Sequence, residues 1–420
     1  MKINMNKTIT IRRPTMESLA VFLMCLYTLF MYLIYTSEAI ASVNSLVLYA
    51  FLGCAVLSAL FRMKLKLNRY LIWYLGFVVL STFTAIYAPH QQKAFSSLYN
   101  LLVVFGLAFA MTVIFTSQKR MELFMRCLVV GSVILTLYLW ATGQLDIDTE
   151  AGERLGNELT GNANGFASIY MVAACSSVYF MLSKRSGVSR LLYWIAFFLQ
   201  MFALTLSGGR KFFLVPLLLI YLMMLQKQDK NGRRHIIICT AVALVCAWLL
   251  YSALLNVPLL YDTVGHRLES LFEYTTGISQ TADASTLERA RMRERAYELW
   301  QEAPLFGHGF DAFSQIGGWG VYSHCNYLEL LCNQGIIGFL FYYAFWLYLL
   351  VQLIRAKSNY PLMRFFIGLL VCFLIYDYGA VSYNGILTHA FVLMACLYLE
   401  IQQKNQAPLE GNYGKNQNTL

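Results

Sequence analysis

The sequence predicts an all-α, polytopic membrane protein of about twelve transmembrane helices. Three observations predict it. The 420 residues are 58% hydrophobic and 13% charged, about half the charged share of an average soluble domain. Apolar runs of about 20 residues, enough to cross a bilayer, recur from one end of the chain to the other. The lysines and arginines collect in alternate segments between those runs, as the positive-inside rule expects of cytoplasmic loops.

In order, the helices are expected at 18–36, 43–61, 70–88, 96–116, 127–142, 163–183, 191–207, 212–226, 236–255, 327–353, 365–382 and 386–402. The 191–226 region, interrupted at Ser207-Gly208-Gly209-Arg210, also reads as one broken hairpin. With a cytoplasmic N-terminus, nine of the 32 basic residues fall outside: Lys93, Arg154, Arg210, Lys211, Arg267, Arg289, Arg291, Arg293 and Arg295. Both termini are therefore expected in the cytoplasm. The same distribution explains the net charge of +10 without nucleic acid. The first apolar run is long and lacks a small-residue cleavage site, so no cleavable signal peptide is expected. Nine of the ten cysteines lie in apolar runs and no CxxC occurs, which argues against disulfides and structural zinc. Residues 1–404 read as a single integral membrane domain, with 405–420 a disordered cytoplasmic tail.

Two outer segments are long: an acidic one, 143–162, and the main extracytoplasmic loop, 256–326. Within the second, Ser285-Thr286-Leu287-Glu288 is a capping box and Pro304 a stop, so a helix is expected to end near Ala303. Arg289, Arg293, Ala296 and Trp300 share one face of it. Arg291, Arg295, Glu298 and Glu302 share another, with ion-pair spacings that make a solvated surface the plain reading.

The basic residues outside are not explained by topology. Arg210 follows two glycines at the end of a helix, and Lys211 opens the next; guanidinium binds phosphate bidentately, and the alternative is snorkelling to lipid headgroups. Arg289 and Arg293 have fewer carboxylate partners than Arg291 and Arg295. His324, flanked by Ser323 and Asn326 and followed by Tyr327 and Glu329, sits where a polar loop becomes an apolar helix, and its free pKa suits proton transfer near neutrality. His308 reads as a structural loop histidine. Asp146-Ile147-Asp148 matches the DxD of nucleotide-sugar enzymes, but such a triplet is common by chance and is given no role.

These pieces together resemble the O-antigen ligase/O-antigen polymerase superfamily. Gly161-Asn162-Ala163-Asn164-Gly165-Phe166-Ala167 resembles the motif that opens its central helix. Leu206-Ser207-Gly208-Gly209-Arg210-Lys211 resembles its arginine element between two helices. Arg289, Trp300 and Pro304-Leu305-Phe306-Gly307-His308-Gly309-Phe310 follow in the family's order. Ser323-His324-Cys325-Asn326-Tyr327-Leu328-Glu329, then Gly335-Ile336-Ile337-Gly338, completes it. The similarity is strong over 190–346. Gly209 stands where a serine often precedes the arginine, and Cys325 interrupts the histidine motif.

The resemblance implies a GT-C-like membrane glycosyltransferase without cofactor or metal, acting outside the bacterial cytoplasmic membrane on undecaprenyl-diphosphate-linked glycans. Its functional residues map onto His324, Arg289 and Arg210. Substrate contacts are expected from Lys211, Arg293, Asn326, Tyr327, Glu329 and Asn164. The leading expectation is a polymerase of oligosaccharide repeat units for a capsule, exopolysaccharide or O-antigen. A ligase moving the glycan to lipid A core or protein shares the motifs. A flippase for the same lipid is the rival from another class, although its charges should line the bundle interior. A chain-length regulator and a flippase of the same pathway are the protein partners such a polymerase would have.

Overall fold

The computed structural model describes residues 15–62, 67–147, 153–157, 162–183, 187–227, 232–276, 284–356 and 360–413. Among them, regular structure is helical, with no strand. All twelve expected helices form: α1 Met16–Leu33, α2 Glu38–Arg62, α3 Arg69–Ala85, α4 Gln91–Ile114, α5 Gln118–Ala141, α6 Ala163–Ser183, α7 Val188–Leu206, α8 Arg210–Leu225 and α9 Gly232–Asn256. After the long loop come α13 Asn326–Arg355, α14 Pro361–Tyr376 and α15 Ile386–Tyr413. The loop carries α10 His266–Thr276, α11 Ala284–Glu302 and the single turn α12 Phe313–Ile316.

Nine of these helices are long and apolar enough to cross a membrane. The other three of the twelve, α3, α8 and α14, have 17, 16 and 16 residues, or about 25 Å at 1.5 Å per residue, the short end of what spans. α7 and α8 are separate helices broken at 207–209. The loop helix α11 ends one residue before the expected Ala303. α15 runs to Tyr413, past the Lys404 where the tail was expected to begin, and residues 414–420 lie outside the described residues, as does Asp148 of the DxD.

α6 is the axis of the bundle. It packs against α5, α7, α8 and α14, and 83% of its span is buried. Its sequence, ANGFASIYMVAACSSVYFMLS, is apolar or small all round, the pattern of a helix with neighbours on every side; alanine and serine let those neighbours approach closely. Its polar side chains tie helices together. Ser177 donates to Gln200 of α7 (2.8 Å), and Gln200 donates to Ser132 of α5 (2.8 Å). α9 is the opposite case: Ile237, Leu244 and Trp248 are each about two-thirds exposed, an outward, lipid-type surface.

α13 is two helices in series. Gly335 adopts φ 63°, ψ −168° inside it, which breaks the hydrogen-bond ladder. The loop 304–309 repairs the break. Ile336 and Ile337 donate to the carbonyls of Pro304 (2.9 Å) and Leu305 (3.3 Å), and His308 and Gly309 donate to those of Cys332 and Asn333 (both 2.9 Å). Backbone polar groups at a helix break need such partners where water is scarce. The approach is tight: a Cβ on Gly335 would lie 2.3 Å from the Leu305 carbonyl, and one on Gly307 2.6 Å from the backbone of residues 333–335. The Pro-Leu-Phe-Gly-His-Gly and Gly-Ile-Ile-Gly motifs are thus the two halves of one contact.

Candidate active site

A cavity of about 550 Å³ opens at the long-loop face of the bundle, between the N-terminal ends of α6 and α8, the first turns of α11 and the segment after α14. Five cations line it: Arg154, Arg210, Lys211, Arg289 and Arg293. Among the described residues, no carboxylate lines it.

Local sequence sets each cation. Gly208, with φ +63°, turns the chain from α7 into α8, so α8 starts at Arg210 with its positive dipole end at the cavity. The Arg210 guanidinium donates to the Thr286 hydroxyl (2.9 Å), joining α8 to α11. Lys211 donates to the Gly379 carbonyl, and its ammonium lies 5.0 Å from the Phe212 ring and 5.2 Å from that of Tyr376. Arg154 donates to the Ser207 carbonyl (2.7 Å) and to Asn164 Oδ1 (3.3 Å). Arg289 and Arg293 stand one turn apart on α11, and the Arg293 guanidinium sits 5.3 Å above the Tyr378 ring.

His324 adjoins this cluster and feels the charges of Arg289, Lys211 and Arg293. It holds φ 59°, a left-handed conformation uncommon for a residue with a Cβ. The turn is braced on both sides. The Ser323 amide donates to Glu329 Oε2 (2.7 Å), and the Ser323 hydroxyl donates to the Cys325 carbonyl (3.1 Å). The imidazole meets the Tyr322 ring edge-on, 4.6 Å between centroids. Burial, then the three neighbouring cations, push its pKa down to about 4. At neutral pH the ring is uncharged and has a lone pair for a proton.

The structure brings Arg210, Lys211, Arg289, Arg293 and Asn164 to one cavity with His324 at its side. It sets Asn326, Tyr327 and Glu329 behind that surface. Asn326 is fully buried: its side-chain amide donates to the Tyr343 hydroxyl (2.8 Å), and its carbonyl oxygen accepts from the amides of Ser382 (3.0 Å) and Tyr383 (3.1 Å). Tyr327 donates to the Leu374 carbonyl (2.6 Å). Glu329, also fully buried, accepts from Ser323 and from Asn333 (3.1 Å). Their geometry is that of a scaffold for the histidine turn.

The expected arginine stripe of α11 divides along its length. Arg289 and Arg293 face the cavity with Thr286 and Ala290. Ala296 packs inward with Met292 and Leu299 against Phe313 and Cys332, and the Trp300 indole donates to the Pro304 carbonyl (3.2 Å). The stripe meets the cavity at its start and the 304–319 loop at its end, so spacing alone put Trp300 with the arginines. Arg295 pairs with Glu298 at 2.9 Å, as its spacing suggests. His308 bonds the Leu299 carbonyl (2.8 Å), a structural role. Sequence reasoning missed Arg154 and Tyr378 as cavity residues. Arg154 had a signal, being one of the basic residues that topology leaves outside; Tyr378 had none.

The described residues thus form an all-helical membrane protein with an arginine-lined cavity at one face and a histidine of depressed pKa beside it. Residues 195–343 match the family model described as O-antigen ligase, and this match supports the resemblance to the O-antigen ligase/O-antigen polymerase superfamily and a function of that ligase or polymerase type. The matched region includes Arg210, Lys211, Arg289, Arg293 and His324, and leaves Arg154, Asn164 and Tyr378 outside. No curated protein matches the chain significantly.

Proposed function

We propose that the protein polymerises undecaprenyl-diphosphate-linked oligosaccharide repeat units into a surface polysaccharide, on the outer side of the bacterial cytoplasmic membrane. The observation that carries this reading is five cations around one cavity, beside a histidine held neutral. The donor brings its own leaving group. An acceptor hydroxyl attacks the anomeric carbon, the bond from that carbon to the diphosphate oxygen breaks, and the hydroxyl proton passes to His324 Nδ1 or Nε2. Arg210 and Arg289 stabilise the charge that builds on the departing lipid diphosphate. Lys211 and Arg293 add to that field, and Asn164 holds Arg154 in it. A single displacement inverts the anomeric centre. The cations supply the neutralisation for which other glycosyltransferases use a metal. An anion bound among Arg289, Lys211 and Arg293 offsets the charges that depress His324, so donor binding itself raises the basicity of the histidine.

The preference for polymerase rests on the resemblance of the His324–Leu331 motif to the polymerase version. The ligase reading is favoured by the family description. Gel profiles of lipid-linked glycan and surface polysaccharide from a strain lacking the protein separate them. Loss of the polymer ladder with single units still delivered means polymerase. Polymer that persists on the lipid but never reaches its final acceptor means ligase. Repeat units trapped on the cytoplasmic side would refute both and favour a flippase.

A further inference from the structure

We propose that Tyr378 is a sugar-stacking platform: its ring receives the first sugar of the glycan beside the diphosphate cradle. This deepens the glycosyl-transfer reading and rests on it. Tyr378 lies outside the family match, lines the cationic cavity and leaves 63% of its surface exposed. An aromatic ring exposed at a charged cavity has surface open to a ligand. Arg293, 5.3 Å above the ring, binds it by cation–π attraction and fixes its tilt.

The segment that carries it is rigid. The Asn326 amide donates to the carbonyls of both Asp377 (2.8 Å) and Ala380 (2.9 Å). The Asn326 side chain takes the amides of Ser382 and Tyr383, and Lys211 holds the Gly379 carbonyl. Residues 377–383 are therefore clamped to the start of α13 and to α8, and a platform fixed in advance binds without an ordering cost. The ligand class follows from the juxtaposition. Guanidinium groups take a diphosphate, and the aromatic face next to them takes the apolar C–H face of a pyranose, in the way that rings pair with flat apolar partners. A ligand that is anionic at one end and a sugar at the other fits both.

The test is direct binding to the full-length protein in lipid nanodiscs. Two probes are used: the lipid diphosphate bearing one repeat unit, and the same lipid diphosphate without sugar. Wild type is expected to bind the glycan-bearing probe about tenfold more tightly, about 1.4 kcal/mol. Tyr378→Ala should lose that difference and keep its affinity for the bare lipid; Tyr378→Phe and Tyr378→Trp should keep both. Equal affinities in wild type, a difference that persists in Tyr378→Ala, or equal weakening of both probes would overturn the proposal. The last outcome would mean that the ring holds the lipid or Arg293 instead. Turnover of the glycan-bearing lipid by wild type is read in parallel. Its absence refutes glycosyl transfer and leaves the sugar contact standing if the discrimination is present.

Discussion

His324→Gly and His324→Ala make different changes to the turn that carries the histidine. At φ 59°, a residue with a Cβ carries roughly 1 kcal/mol of strain or more. Glycine removes it and adds a comparable unfolded-state entropy, about 0.5–1 kcal/mol. Both variants lose the edge-on contact with Tyr322, 4.6 Å between centroids, worth about 0.5–1.5 kcal/mol. Alanine loses the contact and keeps the strain. The glycine variant should therefore be at least as stable as the alanine variant and within about 1–2 kcal/mol of wild type. Loss of a general base should cost about 10²–10⁴ in turnover for both. Thermal unfolding in detergent gives the first quantity, and release of lipid diphosphate from a glycan-bearing donor gives the second. Turnover above one-tenth of wild type in either variant would remove His324 from proton transfer. An alanine variant more stable than the glycine variant would refute the strain argument.

Gly335→Ala should destabilise by roughly 2 kcal/mol or more, because the new Cβ meets the Leu305 carbonyl at 2.3 Å and the backbone has φ 63°, a strained setting for any L-residue; a normal unfolding midpoint would contradict this. Arg210→Ala should weaken binding of the bare lipid diphosphate about 10–100-fold, the range of a charge-assisted hydrogen bond of about 1.5–3 kcal/mol. Arg210→Lys should recover part of that loss, since it restores the charge without the fork, and full recovery would argue against bidentate contact. The pH profile of kcat/KM, which reports the free enzyme, should stay flat on the acid side until pH approaches about 4, the depressed value for His324. The profile of kcat should fall at a higher pH, since the bound anion offsets Arg289, Lys211 and Arg293. Coincident acid limbs would refute the coupling between donor binding and the histidine.

Much of this architecture was legible because bilayer physics makes it so. Apolar length located all twelve helices, and the break at Ser207–Gly209 followed from two glycines before a charge. The cations of the cavity were legible because topology leaves them unexplained. Periodicity misplaced Trp300 because α11 changes neighbours along its length. Residue-type reasoning offered Asn326, Tyr327 and Glu329 as substrate contacts, whereas their hydrogen bonds run to Tyr343, Ser382, Leu374, Ser323 and Asn333. A sequence cannot distinguish a polar residue facing a ligand from one facing a loop 50 residues away. Arg154 and Tyr378 reach the cavity from segments that fold back onto it, a long-range event with no local signature. The pairing of Gly335 with Leu305 has the same origin: two motifs visible separately, whose contact appears once the chain is folded.

On the proposed function, this cavity transfers a glycan from a lipid diphosphate. The most direct measurement is reconstitution of the purified protein in vesicles with a single lipid-linked repeat unit as substrate. The expected result is a ladder of longer lipid-linked glycans, one free lipid diphosphate per new bond, and the loss of both products in His324→Gly. Binding of the substrate with neither ladder nor released lipid diphosphate, or movement of intact substrate between leaflets, would contradict it.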